Sequence, residues 1–404
     1  MNRKTKNIFA SSALIFSCAV LFPSIAFSGE ECASVAPRAG ADNSGGDDPT
    51  GNTESSGTET SSSEPCGATV SESSGAQAQG SVMTLLSKIG RFRAKGGGEG
   101  EKDKKTASGG AASADSLDNA MLDGSRFSLF GFADYFKSDR DASSRSDGYE
   151  QEINSLTLGF DYRLDDSTFF GVFINGSDGD TELYADDGGS DVSSATVGIH
   201  GAKYWGNTFV AGLIAYGALD ITSNRITSSD SFRASTEGDF WSGGLSIGFE
   251  ENFGGWRITP QAGVLLLSGD IDAYQERSAS GNGVVRRINS QSIASQMLTL
   301  TLQADYPVLL NWGVLLPSLR VDLISDGGDG SKINGQNLDD LNKNVISSFA
   351  DQAEEPDSSN VAVSAGASAL FRDGLVVYAV YERLLHHEYL NKYTATVGFR
   401  CELP

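Results

Sequence analysis

The chain has 404 residues, a formal net charge of −23, 39% hydrophobic residues, and 48 glycines against 9 prolines. So acidic a balance excludes nucleic acid as a partner, because phosphate binding needs clustered Lys and Arg. After the first 28 residues no apolar run approaches the length of a membrane-crossing helix, about 18 residues, which leaves strands as the elements able to span a bilayer.

Arg3, Lys4 and Lys6 precede an apolar run over 8–27, and small residues follow. This is the layout of a secretory signal peptide. Ala26 and Ser28 suit cleavage between Ser28 and Gly29, and cleavage after Ala26 fits nearly as well. Ile15-Phe16-Ser17-Cys18 loosely imitates a lipoprotein box, but Phe16 is bulky and the apolar run continues past Cys18. Export through the Sec machinery implies an oxidising compartment, where Cys32 and Cys66 could pair.

Residues 29–81 are mostly Ser, Gly, Thr and acids, as in Glu54-Ser55-Ser56-Gly57. Nothing there buries enough surface to offset ordering entropy, so a disordered tail is expected. A linker follows over 82–125. Val82, Leu85, Leu86 and Ile89 have helical spacing, and 114–122 is a second helical candidate. Between them lies the basic run Arg91, Arg93, Lys95, Lys102, Lys104 and Lys105. It reads either as a solvated linker or as a segment drawn into an acidic pore and helping to plug it.

From residue 126 the pattern has period two. Leu156, Leu158, Phe160, Tyr162 and Leu164 share one face, and Ser155, Thr157, Gly159, Asp161 and Arg163 the other. Strands are predicted over 127–137, 154–164, 168–175, 193–205, 208–222, 238–249, 256–267, 292–306, 314–323, 361–371, 375–381 and 392–403. The connections alternate in length. Those at 139–151, 176–192, 223–237, 268–291 and 325–359 are long. Those at 165–167, 206–207, 252–255, 311–313 and 372–374 are short. An even strand count with short turns gathered at one end predicts an all-β fold, a 12-stranded antiparallel up-and-down transmembrane β-barrel over 126–404. A soluble sandwich has no reason to sort its loops so regularly. The aspartate-rich long loops are expected to be solvated. In the last strand Tyr393, Ala395, Val397, Phe399, Cys401 and Leu403 share the apolar face, so Cys401 reads as a small apolar residue facing lipid. This strand should close the barrel against the first.

The order and spacing of several pieces resemble the autotransporter β-domain, the translocator of type V secretion. They are Leu158-Gly159-Phe160-Asp161-Tyr162, Phe170-Gly171-Val172, Val197-Gly198-Ile199-His200-Gly201, Ala215-Tyr216-Gly217, Trp312-Gly313-Val314-Leu315-Leu316-Pro317, Ser364-Ala365-Gly366-Ala367-Ser368-Ala369 and Val380-Tyr381-Glu382. The resemblance runs from Phe127 to Leu403. It implies a pore threaded by an α-helix ahead of the first strand, an N-terminal passenger carried to the cell surface, and a closing strand read by the barrel-assembly machinery. Tyr393, Val397, Phe399 and Leu403 are the residues of that signal here. The family's terminal aromatic is replaced by Leu403 followed by Pro404. The pre-barrel region is short and lacks a solenoid repeat. Some members cut themselves at a lumenal Asn; Asp118-Asn119 stands at the corresponding place, in poorly matching surroundings.

The chain has 3 histidines, His200, His386 and His387. There is no G-x-S-x-G elbow and no metal-ligand spacing, so no catalytic residue, cofactor or metal is assigned. Asp326–Asp329 with its glycines lacks the ordered ligand spacing of a calcium loop. The expected function is that of an outer-membrane translocator, monomeric and in contact with outer-membrane lipid, which displays its short N-terminal segment. A pore-forming or structural barrel without passenger export is the alternative.

Overall fold

The computed structural model describes residues 126–142, 148–184, 188–327, 332–352, 359–372, 374–385 and 390–403, and the helical residues 74, 75, 77–79, 82 and 84–86. Twelve long strands build the wall: β1 (Phe127–Arg140), β2 (Tyr149–Asp165), β3 (Thr168–Leu183), β4 (Gly188–Trp205), β5 (Thr208–Ile226), β6 (Ser231–Phe249), β7 (Trp256–Ile271), β8 (Gln291–Asp305), β9 (Gly313–Asp326), β10 (Asn360–Phe371), β11 (Leu375–Leu385) and β12 (Leu390–Leu403). Each pairs antiparallel with the next, and β12 returns to β1 with Leu403 opposite Phe127 and Leu390 opposite Arg140. The sheet therefore closes as an up-and-down barrel, and every strand edge in the wall is paired.

Alternation assigns the two faces. On β4, Val197 and Ile199 point outward, 55% and 60% exposed, while Thr196 and His200 are buried inward. Outward apolar side chains on neighbouring strands, such as Leu158, Val172, Ile214, Leu245 and Leu300, form a continuous belt. Exposure of this kind is stable only against hydrocarbon. Tyr216 and Trp241 mark the belt's long-loop margin, their rings 5.0 Å apart.

The twelve strands are the ones the sequence predicts, but they run farther. β5 and β6 reach 19 residues, against the 9–11 or so needed to cross a bilayer. Most of the predicted long loops are thus strand. The sequence reading ended each strand where its apolar alternation ended. Beyond that point the outward positions turn polar, as at Asp178, Asp180 and Glu182, while the backbone ladder to Ser193, Asp191 and Gly189 continues.

The two longest connections are not merely solvated. Tyr274–Gln275, Val284–Ile288, Lys332–Asp339 and Val345–Gln352 pair into a separate four-stranded sheet. Its apolar centre holds Tyr274, Ile288, Ile333 and Phe349, with Phe232, Val285 and Leu338 forming a second cluster. The partner strands come from segments on either side of β8 and β9, so no local pattern reveals the pairing.

The helix also differs from expectation. It already includes Ser74, Gly75 and Gln77–Gln79, residues that composition assigned to the disordered tail. Cys401 lies on the outward face but is 1% exposed, not open to lipid. It is small and stands in register between the larger Leu129 and Leu375, with Phe399 and Leu403 on either side along its own strand.

Candidate functional site in the barrel lumen

The helix lies inside the barrel. Val82, Leu85 and Leu86 join a buried cluster with Phe130, Phe132, Phe169, Phe173, Phe209 and Leu213. These wall residues stand in the half of the barrel nearer the short turns; Phe169 and Phe209 are each second in their strand. Ala78 packs instead with Val192, Leu219, Ile221, Ile271 and Ile293, near the long-loop ends of their strands. Gln77 Nε2 donates to Ser177 O at 3.0 Å and to Ser177 Oγ at 2.8 Å. The helix thus runs from the long-loop end at Ser74 toward the short-turn end at Leu86.

Small residues make room for it. A Cβ on Gly244 would come within 2.9 Å of a Leu86 methyl, and one on Gly179 within 2.9 Å of Gln77 Oε1. A helix this short is marginal in water. Burial of Val82, Leu85 and Leu86, about 1.5–3 kcal/mol each and an upper bound, is what fixes it. The arrangement is one of enclosure and packing. It holds one stretch of chain along the axis of a closed pore.

A second feature lies on the lumenal side of the β12–β1 seam. Asp161 of β2 is buried between Arg400 of β12 and His200 of β4. Its carboxylate accepts from Arg400 Nη1 at 2.6 Å, and Oδ1 lies 2.7 Å from His200 Nε2. The imidazole is ringed by Phe130, Phe169 and Phe173, with centroids 5.5–6.3 Å away. Nearer the long loops, beyond the row of Phe132 and Gly398, Asp134 of β1 accepts from Thr396 at 2.6 Å and from Ser155 at 3.3 Å. One layer nearer the short turns, Arg163 donates to Glu402 at 3.2 Å. Each layer ties β12 across the seam to β1 or β2. Alternation along the chain places Asp161, Arg163, Arg400 and Glu402 on the lumenal face but says nothing of their partners. The available signal was a carboxylate or guanidinium at a position whose alternation points inward.

Ser193 and His200 lie on opposite faces of β4. Ser193 points outward and donates to Asp178 at 2.7 Å, while His200 points into the lumen. Among the described residues no group of His, Cys, Asp and Glu could hold a metal ion.

Of the predicted closing-strand residues, Tyr393 packs outward between Tyr135 and Tyr381, at 6.1 and 6.0 Å. Val397 is 59% exposed in the apolar belt. The Phe399 ring covers Gly131, where a Cβ would come within 2.7 Å of it. Leu403 ends the ladder opposite Phe127. The basic residues Arg91, Arg93, Lys95, Lys102, Lys104 and Lys105, the cleavage pair Ser28 and Gly29, Asp118-Asn119, Cys32, Cys66, His386 and His387 lie outside the described residues.

The chain matches the family described as "Autotransporter beta-domain" over residues 129–382, more than half its length. No curated protein matches it. Among solved structures it is similar to the translocator domain of autotransporter NalP from Neisseria meningitidis. That match has 14% identity and a TM-score of 0.58, and covers 82% of this chain and 98% of that one. It is also similar to the beta domain of the Bordetella autotransporter Brka, with 18% identity and a TM-score of 0.53, covering 69% of this chain and 99% of that one. At these identities the two structures speak for the fold.

Proposed function

This chain belongs to the autotransporter β-domain family and is an outer-membrane barrel, and from that premise we propose that it exports its own short N-terminal segment and displays it at the cell surface. The observation that carries the proposal is the direction of the lumenal helix. Its C-terminal end points to the short-turn end, where β1 starts, and its N-terminal end to the long-loop end. Short turns are periplasmic and long loops external in outer-membrane barrels. A chain that enters the helix from outside and leaves it inward has its preceding residues, the Ser/Gly-rich tail, beyond the membrane. The packing of Val82, Leu85 and Leu86 against lumenal aromatic residues then acts as a stop that closes the pore. The basic run Arg91–Lys105 follows this stop in the sequence, and its attraction to an acidic pore would add to the seal. The chemistry asked of the barrel is passive: enclosure, a paired backbone, and a polar inner wall. Sec export and the barrel-assembly machinery supply the earlier steps.

An epitope inserted near Ser62 tests the proposal. On intact cells it should bind antibody and be removed by added protease. Protection until the outer membrane is permeabilised would refute export and favour a barrel whose tail stays in the periplasm.

A further inference from the structure

Along the outward face of β6, moving away from the membrane, Trp241 is followed by Asp239, Glu237, Ser235 and Arg233. The row beside it on β5 is similar, with Asp220 opposite Glu237, Thr222 opposite Ser235 and Asn224 opposite Arg233. An acidic row thus stands just above the aromatic margin, then a hydroxyl row, then a cation. On the other side of Arg233 lies Arg277, its direct partner in the short strand Arg277–Ser278. Both are exposed, while the neighbouring partners Phe232 and Ser278 turn inward.

Two arginines directly opposite in an antiparallel pair sit about 5 Å apart at Cα and repel each other. Nearby acids could neutralise them but are engaged elsewhere. Glu276 is buried and holds Arg225 through Nε at 2.9 Å and Nη2 at 2.6 Å, and also accepts from the backbone of Arg286. Asp230 accepts from Ser278, Ser280 and the backbone of Ser231. Among the described residues neither Arg233 nor Arg277 has a carboxylate partner, in a chain of net charge −23.

We infer that Arg233 and Arg277 form a binding site for a phosphate group on the saccharide of the glycolipid that surrounds the barrel in the outer leaflet. The facing direction selects this ligand, since the pair looks sideways from the wall over the lipid and not into the lumen. Height selects the saccharide over the lipid headgroup. Eight residues separate Arg233 from Trp241; at about 3.3 Å per residue and a tilt of about 40°, the pair stands about 20 Å above the apolar margin. The acidic row below it repels phosphates nearer the membrane. Two planar guanidinium groups side by side can each give a forked pair of hydrogen bonds to one tetrahedral anion.

The test uses the folded, full-length barrel and three probes: lipopolysaccharide with a phosphorylated core, the same material after phosphatase treatment, and inorganic phosphate. Binding to the phosphorylated glycolipid should fall at least about tenfold in the variant R233Q/R277Q, the loss expected for a charge-assisted contact. Removing the core phosphates should reduce wild-type binding similarly. The variant K343Q, a change at an exposed lysine in a separate turn, should bind like wild type. Equal binding by R233Q/R277Q and wild type would overturn the assignment. So would competition by millimolar inorganic phosphate together with indifference to the glycolipid, because the ligand would then be the free anion.

Discussion

The seam cluster offers the sharpest test of how this barrel closes. Asp161, Arg400 and His200 have side chains only 3%, 8% and 2% exposed, so solvent does little to screen them. Replacing Asp161 with Asn keeps shape and a hydrogen-bonding oxygen but removes the charge that balances a buried guanidinium. Breaking a buried pair from one side costs about 3–5 kcal/mol, and the expected loss for Asp161→Asn lies in that range. Arg400→Gln should cost less, because Asp161 keeps His200 as a partner. The double variant D161N/R400Q leaves no unpaired charge between them and should be more stable than the sum of the single effects predicts, by about 1–3 kcal/mol. Urea unfolding in lipid vesicles, followed by tryptophan emission, measures this. The 4 tryptophans, Trp205, Trp241, Trp256 and Trp312, are all at least 41% exposed, so their emission reports transfer from bilayer to water. Heat-modifiable mobility on gels gives an independent count of closed barrels. Single-variant losses below about 1 kcal/mol, or additivity within about 0.5 kcal/mol, would refute the claim that this cluster fastens β12 across the seam.

Other outcomes follow from the same geometry. Val397→Arg places a cation in the apolar belt and should destabilise the inserted barrel by about 2–4 kcal/mol, read from the same unfolding curves. Deleting residues 74–86 should raise single-channel conductance in planar bilayers, whereas an unchanged current would mean that the helix is not the seal. Changing the six basic residues between Arg91 and Lys105 to Gln should raise the conductance less, and no rise would remove them from the plug. Gly159→Val would drive its Cβ into the Phe130 ring, whose nearest carbon would lie 2.1 Å away, and should cost about 1–3 kcal/mol as overpacking. In the outer sheet the Ser278 hydroxyl foremost, with Ser280, holds the Asp230 carboxyl below its ordinary range. A depressed folded-state value means that its contribution is complete at neutral pH and is lost as pH falls through that value. Protease resistance of residues 272–290 should therefore drop on acidification, and Asp230→Asn should remove that part of the pH dependence.

Period two, even strand count and sorted turns were all legible along the chain, because a barrel wall writes its two solvents into alternate residues. Leu156 to Leu164 announce lipid and Ser155 to Arg163 announce a polar lumen without reference to anything distant. Helical spacing at Val82, Leu85 and Leu86 was equally local. Where each strand stopped was not legible, since outside the bilayer Asp178, Asp180 and Glu182 keep the ladder without the apolar mark. Contacts between remote segments were hidden for a related reason. Asp161 and Arg400 meet only when the sheet closes, and Val284–Ile288 finds Lys332–Asp339 only after β8 and β9 have stacked the loops. The direction of the helix in the pore, from which the proposed export is argued, likewise depends on which lumenal layer each side chain reaches. Sequence determined the wall and the strand that closes it, because lipid and water act on each residue where it stands; tertiary structure decided the side-chain ties across the seam, the direction of the plug and the outer sheet, because these depend on closure.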